Sequence, residues 1–152
     1  LLSRGAAQVT AVDSGHGQLS ARLAADSRVR SLEGMNARYL SAAEVGTGYD
    51  IAVMDVSFIS QTLILPVIPA LLRDGGELVS LIKPQFEVGR ADVGKGGIVR
   101  SAAARERAVT AVRTAADAVG LKCCGVITSP IQGGDGNTEY LAHFRRAATT
   151  GK

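Results

Sequence analysis

The sequence has no tryptophan, three tyrosines and three phenylalanines, so a row of base-stacking rings is not its main theme. Its two cysteines, Cys123 and Cys124, are neighbours. Adjacent residues on a strand face opposite ways, which argues against one shared disulfide or one metal site and leaves the pair as core. The two histidines, His16 and His143, lack metal-ligand spacing, so no metal is expected. The longest apolar run, residues 63–72, carries Pro66 and Pro69 and is about half the ~20 residues a membrane span needs. No signal peptide is visible, and the expectation is a cytoplasmic, reduced protein. An initiator methionine is also missing. The opening Leu-Leu-Ser-Arg-Gly5 reads as a helix end, which predicts a chain that continues upstream.

What is present looks globular: 152 residues, 46% hydrophobic and 20% charged. That length is one domain with room for a core. A net charge of +3 suits a nucleic-acid partner, though only weakly.

The chain is organised around Leu78-Val-Ser-Leu-Ile-Lys83-Pro84, where an apolar, strand-like run ends abruptly on a lysine and a proline. Ligands of open α/β sheets sit at such strand ends. Other short strands are expected at 8–13, 28–32, 51–55, 121–129 and 139–144. Helical stretches are expected at 18–25, 41–45, 60–73 (bent by its prolines) and 101–120, the last capped by Ser101. Strands alternating with helices predict a mostly parallel sheet covered on both faces. The last two strands are joined too closely for a helical crossover and should pair antiparallel. That architecture is similar to the class I, Rossmann-like sheet of S-adenosylmethionine-dependent methyltransferases.

Three ionisable residues fall at one edge of such a sheet. Asp55 and Lys83 end consecutive parallel strands, and Glu139 opens an antiparallel one. An acid–lysine–acid cluster can fix a lysine and tune it to accept a proton from a hydroxyl; a structural salt bridge is the plainer alternative. Asp13, ending the first strand, suits ribose hydroxyls or else a turn before Ser14-Gly15. Glu33 and Asn36, at the next strand end, are candidates for reading adenine. Gly89 to Gly96 nearly spells a phosphate-binding loop, but Gly96 stands where Ser or Thr must bind magnesium, which excludes triphosphate hydrolysis. Arg90, Lys95 and Arg100 on that loop suit an RNA phosphate backbone, or form a solvated lid.

Four stretches together closely resemble the TlyA family, also labelled hemolysin A and similar to FtsJ-type ribose 2′-O-methyltransferases. They are Val53-Met-Asp55-Val-Ser-Phe-Ile-Ser60, Leu81-Ile-Lys83-Pro-Gln-Phe-Glu-Val-Gly89, Val93-Gly-Lys-Gly-Gly97-Ile-Val-Arg100 and Gly136-Asn-Thr-Glu139-Tyr. Val12-Asp13-Ser-Gly-His-Gly-Gln-Leu19 matches a fifth, with His16 at a position usually aromatic. The resemblance implies that Asp55, Lys83 and Glu139 are the last three members of a Lys-Asp-Lys-Glu tetrad, and that Asp13, Glu33, Asn36 and Asp55 line the cofactor site. It implies S-adenosylmethionine as cofactor and ribosomal RNA as substrate. The tetrad's first lysine has no counterpart here. The implied organisation is a partial FtsJ-like domain over 1–146 and a tail over 147–152. An S4-type RNA-binding domain, the first sheet strand and a glycine-rich cofactor loop would all lie upstream. Asp55-Val-Ser-Phe58 also resembles, by position, the Asp/Asn-Pro-Pro-aromatic loop of amino-group methyltransferases, without its prolines. The competing readings are a membrane-active hemolysin and a catalytically inactive RNA-binding module.

Overall fold

The computed structural model describes residues 1–148, so most of the expected tail lies outside the described residues. The chain divides into two compact units, Leu1–Gly46 and Thr47–Lys152.

The first unit is built on two short parallel strands, β1 (Val9–Val12) and β2 (Val29–Leu32), paired Val9 to Val29 through Val12 to Leu32. Between them the expected eight-residue helix shrinks to one turn, α1 (Ala21–Ala24), capped by Ser20. A single turn has too few hydrogen bonds to offset its nucleation cost, and its Leu23 is exposed. After β2, Asn36 caps a 3-10 turn over Ala37–Tyr39. A capping box between Ser41 and Glu44 then starts α2 (Ala42–Val45).

The second unit holds a four-stranded mixed sheet in the order β3-β4-β6-β5. β3 (Tyr49–Met54) runs parallel to β4 (Leu72–Ile82), and β4 pairs antiparallel with β6 (Tyr140–Arg146). The expected antiparallel hairpin is present: β6 also pairs with β5 (Leu121–Thr128), with a bulge between Cys123 and Gly125. The expected bent helix over 60–73 is two 3-10 turns, Gln61–Leu63 and Leu65–Val67, followed by α3 (Ile68–Leu71). Pro66 and Pro69 remove donors at short intervals and forbid a continuous ladder. β4 then begins at Leu72, earlier than expected. Gly76 allows this, because a side chain there would collide with the Arg73 and Tyr49 carbonyls. α4 (Ala102–Ala118) starts on the Ser101 cap and buries Ala104, Ala108, Val112 and Ala116 along one stripe. The core lies on one sheet face, where Leu78, Ser80 and Ile82 of β4 meet Ala142 and Phe144 of β6. The cysteines are not core: Cys124 is exposed and Cys123 half-buried, because they lie on the edge strand β5 at its bulge.

Candidate active site

β3 and β4 run in the same direction with Met54 opposite Ser80, so the residues that follow them emerge at one sheet edge. Asp55 and Lys83 are those residues. The Lys83 ammonium pairs with Asp55 Oδ1 at 2.7 Å and donates to Ser57 Oγ at 3.0 Å. Lys83 is largely covered, its side chain 16% exposed, while Asp55 is 68% exposed. A pair with one such open partner contributes about 0–1 kcal/mol, so it does not by itself hold this edge together.

Glu139 stands just before β6, whose Tyr140 faces Ile82 of β4. It is 5% exposed. Among the described residues Lys83 has an ion pair with Asp55 and none with Glu139. The expected acid–lysine–acid contact is thus an acid–lysine–hydroxyl contact, with Glu139 on the neighbouring strand. Its carboxylate is turned toward Gly133, where any Cβ would collide with Oε1.

Sequence reasoning missed several polar residues around this edge. Gln61 is buried, and its side chain bonds the Leu81 carbonyl and the Ser80 hydroxyl. Glu87 accepts from Ser60 Oγ at 2.6 Å and from the Gln61 backbone N–H at 2.8 Å. Burial pushes the Glu87 carboxyl up from its ordinary range, against the pull of those two hydrogen bonds. Asn137, also buried, accepts from Val99 N–H and donates to Gly97 O, tying the glycine-rich loop to the loop before Glu139. Phe58 is 90% exposed in a left-handed conformation (φ 63), its ring 4.9 Å from that of Phe86. Phe58 had a signal in its place in the Asp55-Val-Ser-Phe58 motif. Asn137 and Glu87 also stood inside motif stretches, but their contacts had no signal, and Gln61 had none at all, since the partners are distant in sequence.

Arg90, Lys95 and Arg100 are all exposed along the loop over 89–100. Nearby Asp92 is instead engaged by Arg107 at 3.0 Å.

In the first unit the strand-end loops are zipped together, Met35 N–H to Asp13 O and Gly34 N–H to Gly15 O. This brings Asp13, Glu33 and Asn36 to one edge of the two-stranded sheet. Each also has a local duty. Asp13 Oδ1 accepts from Gly15 N–H, Glu33 Oε1 from Gly17 N–H, and Asn36 Oδ1 from Arg38 N–H. Glu33 also lies 3.6 Å from His16 Nδ1.

The FtsJ-like methyltransferase family matches residues 1–146. The chain is 44% identical over 145 residues to the 16S/23S rRNA (cytidine-2′-O)-methyltransferase TlyA of Mycobacterium tuberculosis, covering 95% of this chain and 54% of that protein. It therefore spans about half the length of that relative. A solved structure of a candidate hemolysin from Streptococcus thermophilus superposes with a TM-score of 0.91 at 45% identity, over 96% of this chain and 53% of that one. The N-methyltransferase NodS of Bradyrhizobium japonicum, solved with S-adenosyl-L-homocysteine, shares the fold alone: TM-score 0.61 at 18% identity, over 91% of this chain and 66% of that one. The architecture is therefore an α/β fold of the Rossmann-like methyltransferase type, and the chain belongs to the FtsJ-like methyltransferase family.

Proposed function

We propose that the chain carries the methyl-transfer site of an S-adenosylmethionine-dependent enzyme that methylates a ribose 2′-hydroxyl in ribosomal RNA. The observation that carries this reading is the Lys83–Asp55 pair, 2.7 Å long, at the carboxyl edge of the parallel strands. The TlyA relative, which acts on 16S and 23S RNA by its name, supports the substrate class.

The first unit fits the cofactor: an exposed carboxylate at a strand end, Asp13, with Glu33 and Asn36 beside it, suits the hydroxyl and amino donors of a nucleoside. In this reading Asp13 holds the ribose, and Glu33 and Asn36 border the base. When bound, S-adenosylmethionine supplies an electrophilic methyl group. Lys83 takes or steers the proton of the attacking hydroxyl, a role worth typically ~10²–10⁴-fold in rate. Asp55 and Ser57 take up two of the three directions open at the Lys83 nitrogen; the third carries a lone pair in the neutral amine, the form that takes the hydroxyl proton, and an N–H in the ammonium, the form that only steers it. Glu139, just before the next strand, is the third acid of the proposed set and acts from beside the pair rather than in contact with it. Arg90, Lys95 and Arg100 meet the RNA backbone, and Phe58 offers an exposed ring face to an unstacked base. No helix among the described residues is long and apolar enough to cross a membrane. The proposed place of action is the cytoplasm, where the RNA substrate is.

The test is Lys83→Ala in the longest natural form of the chain, assayed for methyl transfer to ribosomal RNA. The expected result is a loss of at least ~10²-fold with the fold retained. Ribose methylation that survives the substitution would overturn the assignment. Leakage of dye from liposomes by the purified protein would favour the hemolysin reading instead.

A further inference from the structure

Beneath Lys83, one buried amide joins the segments that carry the proposed chemistry. Gln61 is 1% exposed, six residues after Asp55. The β3–β4 ladder ends with Met54 opposite Ser80. Past that point Gln61 Nε2 takes the Leu81 carbonyl and its Oε1 accepts from the Ser80 hydroxyl. The Gln61 backbone N–H and the Ser60 hydroxyl then both donate to Glu87, which follows Lys83 by four residues. The network therefore ties the Asp55–Ser57 loop to the end of β4 on one side of Lys83 and to the turn after it on the other.

The energetics say why such a device is needed. The Lys83–Asp55 pair is open to water at its acid and contributes only about 0–1 kcal/mol. Phe58, between Ser57 and the clamp, holds a left-handed backbone that costs about 1–3 kcal/mol and persists only if its surroundings enforce it. Neither feature can set the loop's position. Buried, satisfied polar groups can, because a slip of the loop would leave the Gln61 amide, the Ser80 hydroxyl or the Glu87 carboxylate without a partner.

Resting on the methyltransferase reading, we propose that Gln61 and Glu87 are positioning residues: a buried clamp that sets where Asp55 and Ser57 meet the Lys83 ammonium. Neither residue touches substrate. Their effect on rate is exerted through Lys83, where a displacement of about 1 Å can cost ~10²-fold.

The test has one readout that needs no activity. Competitive acetylation followed by mass spectrometry compares Lys83 with Lys122, whose side chain is 66% exposed. In the natural sequence Lys83 should label much more slowly than Lys122. Gln61→Leu and Glu87→Ala should each raise the Lys83 rate severalfold at temperatures well below their melting points. Glu87→Gln should rescue it, since its amide oxygen still accepts from Gln61 N–H and its amino group can donate to Ser60. Ser80→Ala, a smaller change, serves if either larger one fails to fold. Gln61→Leu and Glu87→Ala should also lower kcat by about 10²-fold while leaving KM for RNA unchanged, and Glu87→Gln should restore it. Folded variants with unchanged Lys83 labelling overturn the clamp, as does an effect confined to KM. Absence of methyl transfer in the natural protein overturns the functional reading and leaves the labelling result to decide the clamp.

Discussion

The two units of the chain are built on different physical terms. In Leu1–Gly46 the only fully buried residue is Val45, and the sheet has two strands. What order it has comes from backbone hydrogen bonds between its strand-end loops and from local caps: Ser20, Asn36 and the Ser41–Glu44 box. In Thr47–Lys152 a four-stranded sheet packs against α4, and Leu65, Leu78, Ile82, Leu121 and Phe144 are completely enclosed. A two-stranded sheet is marginal in water, whereas a larger sheet with a packed helix supports itself. The proposed proton-handling residues stand on the self-supporting unit. The proposed cofactor contacts stand on the unit with almost no core of its own.

The largest expected effect tests that contrast directly. Phe144 faces Leu78 across the β4–β6 ladder with no exposure. Phe144→Ala should cost about 3–5 kcal/mol in urea denaturation. Leu32→Ala, at the half-buried end of β2 in the first unit, should cost only about 1 kcal/mol. Equal losses would show that the first unit is far better packed than its exposure indicates. Next in size is Gly133→Ala. The new methyl would occupy the place of Glu139 Oε1 and push the carboxylate aside. Methyl transfer should fall by at least tenfold, on the scale of a displaced catalytic group, with a smaller loss of stability than Phe144→Ala because only the buried Glu139 carboxylate has to move. Unaltered activity would remove Glu139 from the mechanism. Phe58→Gly should leave stability nearly unchanged. It removes the left-handed strain of an exposed ring at the cost of added chain entropy, so the net change should stay within about 1 kcal/mol. RNA affinity should nonetheless drop, read as a raised KM; an unchanged KM would dismiss Phe58 as a stacking face.

The parts of the molecule that follow from periodicity could be read in the sequence. The alanine-rich stripe of α4, the run leading to Lys83 and the close-coupled strands β5 and β6 each carry their pattern within a few turns or one hairpin. Asp55 beside Lys83 was legible too, because two parallel neighbours must release their next residues at the same edge. The segment over 60–73 was read too simply as a bent helix, since Pro66 and Pro69 reduce it to 3-10 turns and only one α turn, and β4 has already begun at Leu72. Glu139's carboxylate direction depends on a glycine six residues earlier, and the Gln61–Glu87 link joins residues 26 apart. Such contacts are tertiary choices with no local signature. Asp13, Glu33 and Asn36 were proposed from their positions at strand ends, and their hydrogen bonds to Gly15, Gly17 and Arg38 show that each also serves its own turn.

The smallest effect, and the sharpest in sign, is the acid response of the two units. In the first, Asp26 is held at about 2 by the Arg28 guanidinium, below its ordinary 3.8. Its contribution is complete above pH 3.8 and is lost as pH falls toward 2, because the unfolded chain takes up the proton first. In the second, Glu87 is raised above its ordinary 4.5 by burial. There the folded state binds the proton more tightly, so the associated stability is complete below pH 4.5 and is lost as pH rises through the raised value. Asp26→Asn should therefore flatten the stability profile only on the acid side of 3.8, and Glu87→Gln only above 4.5. Denaturation followed by hydrogen exchange assigns each change to its unit. A Glu87→Gln profile with the natural slope above 4.5 would mean that the Ser60 and Gln61 hydrogen bonds fully offset the burial of that carboxylate, and that the clamp tolerates either protonation state equally.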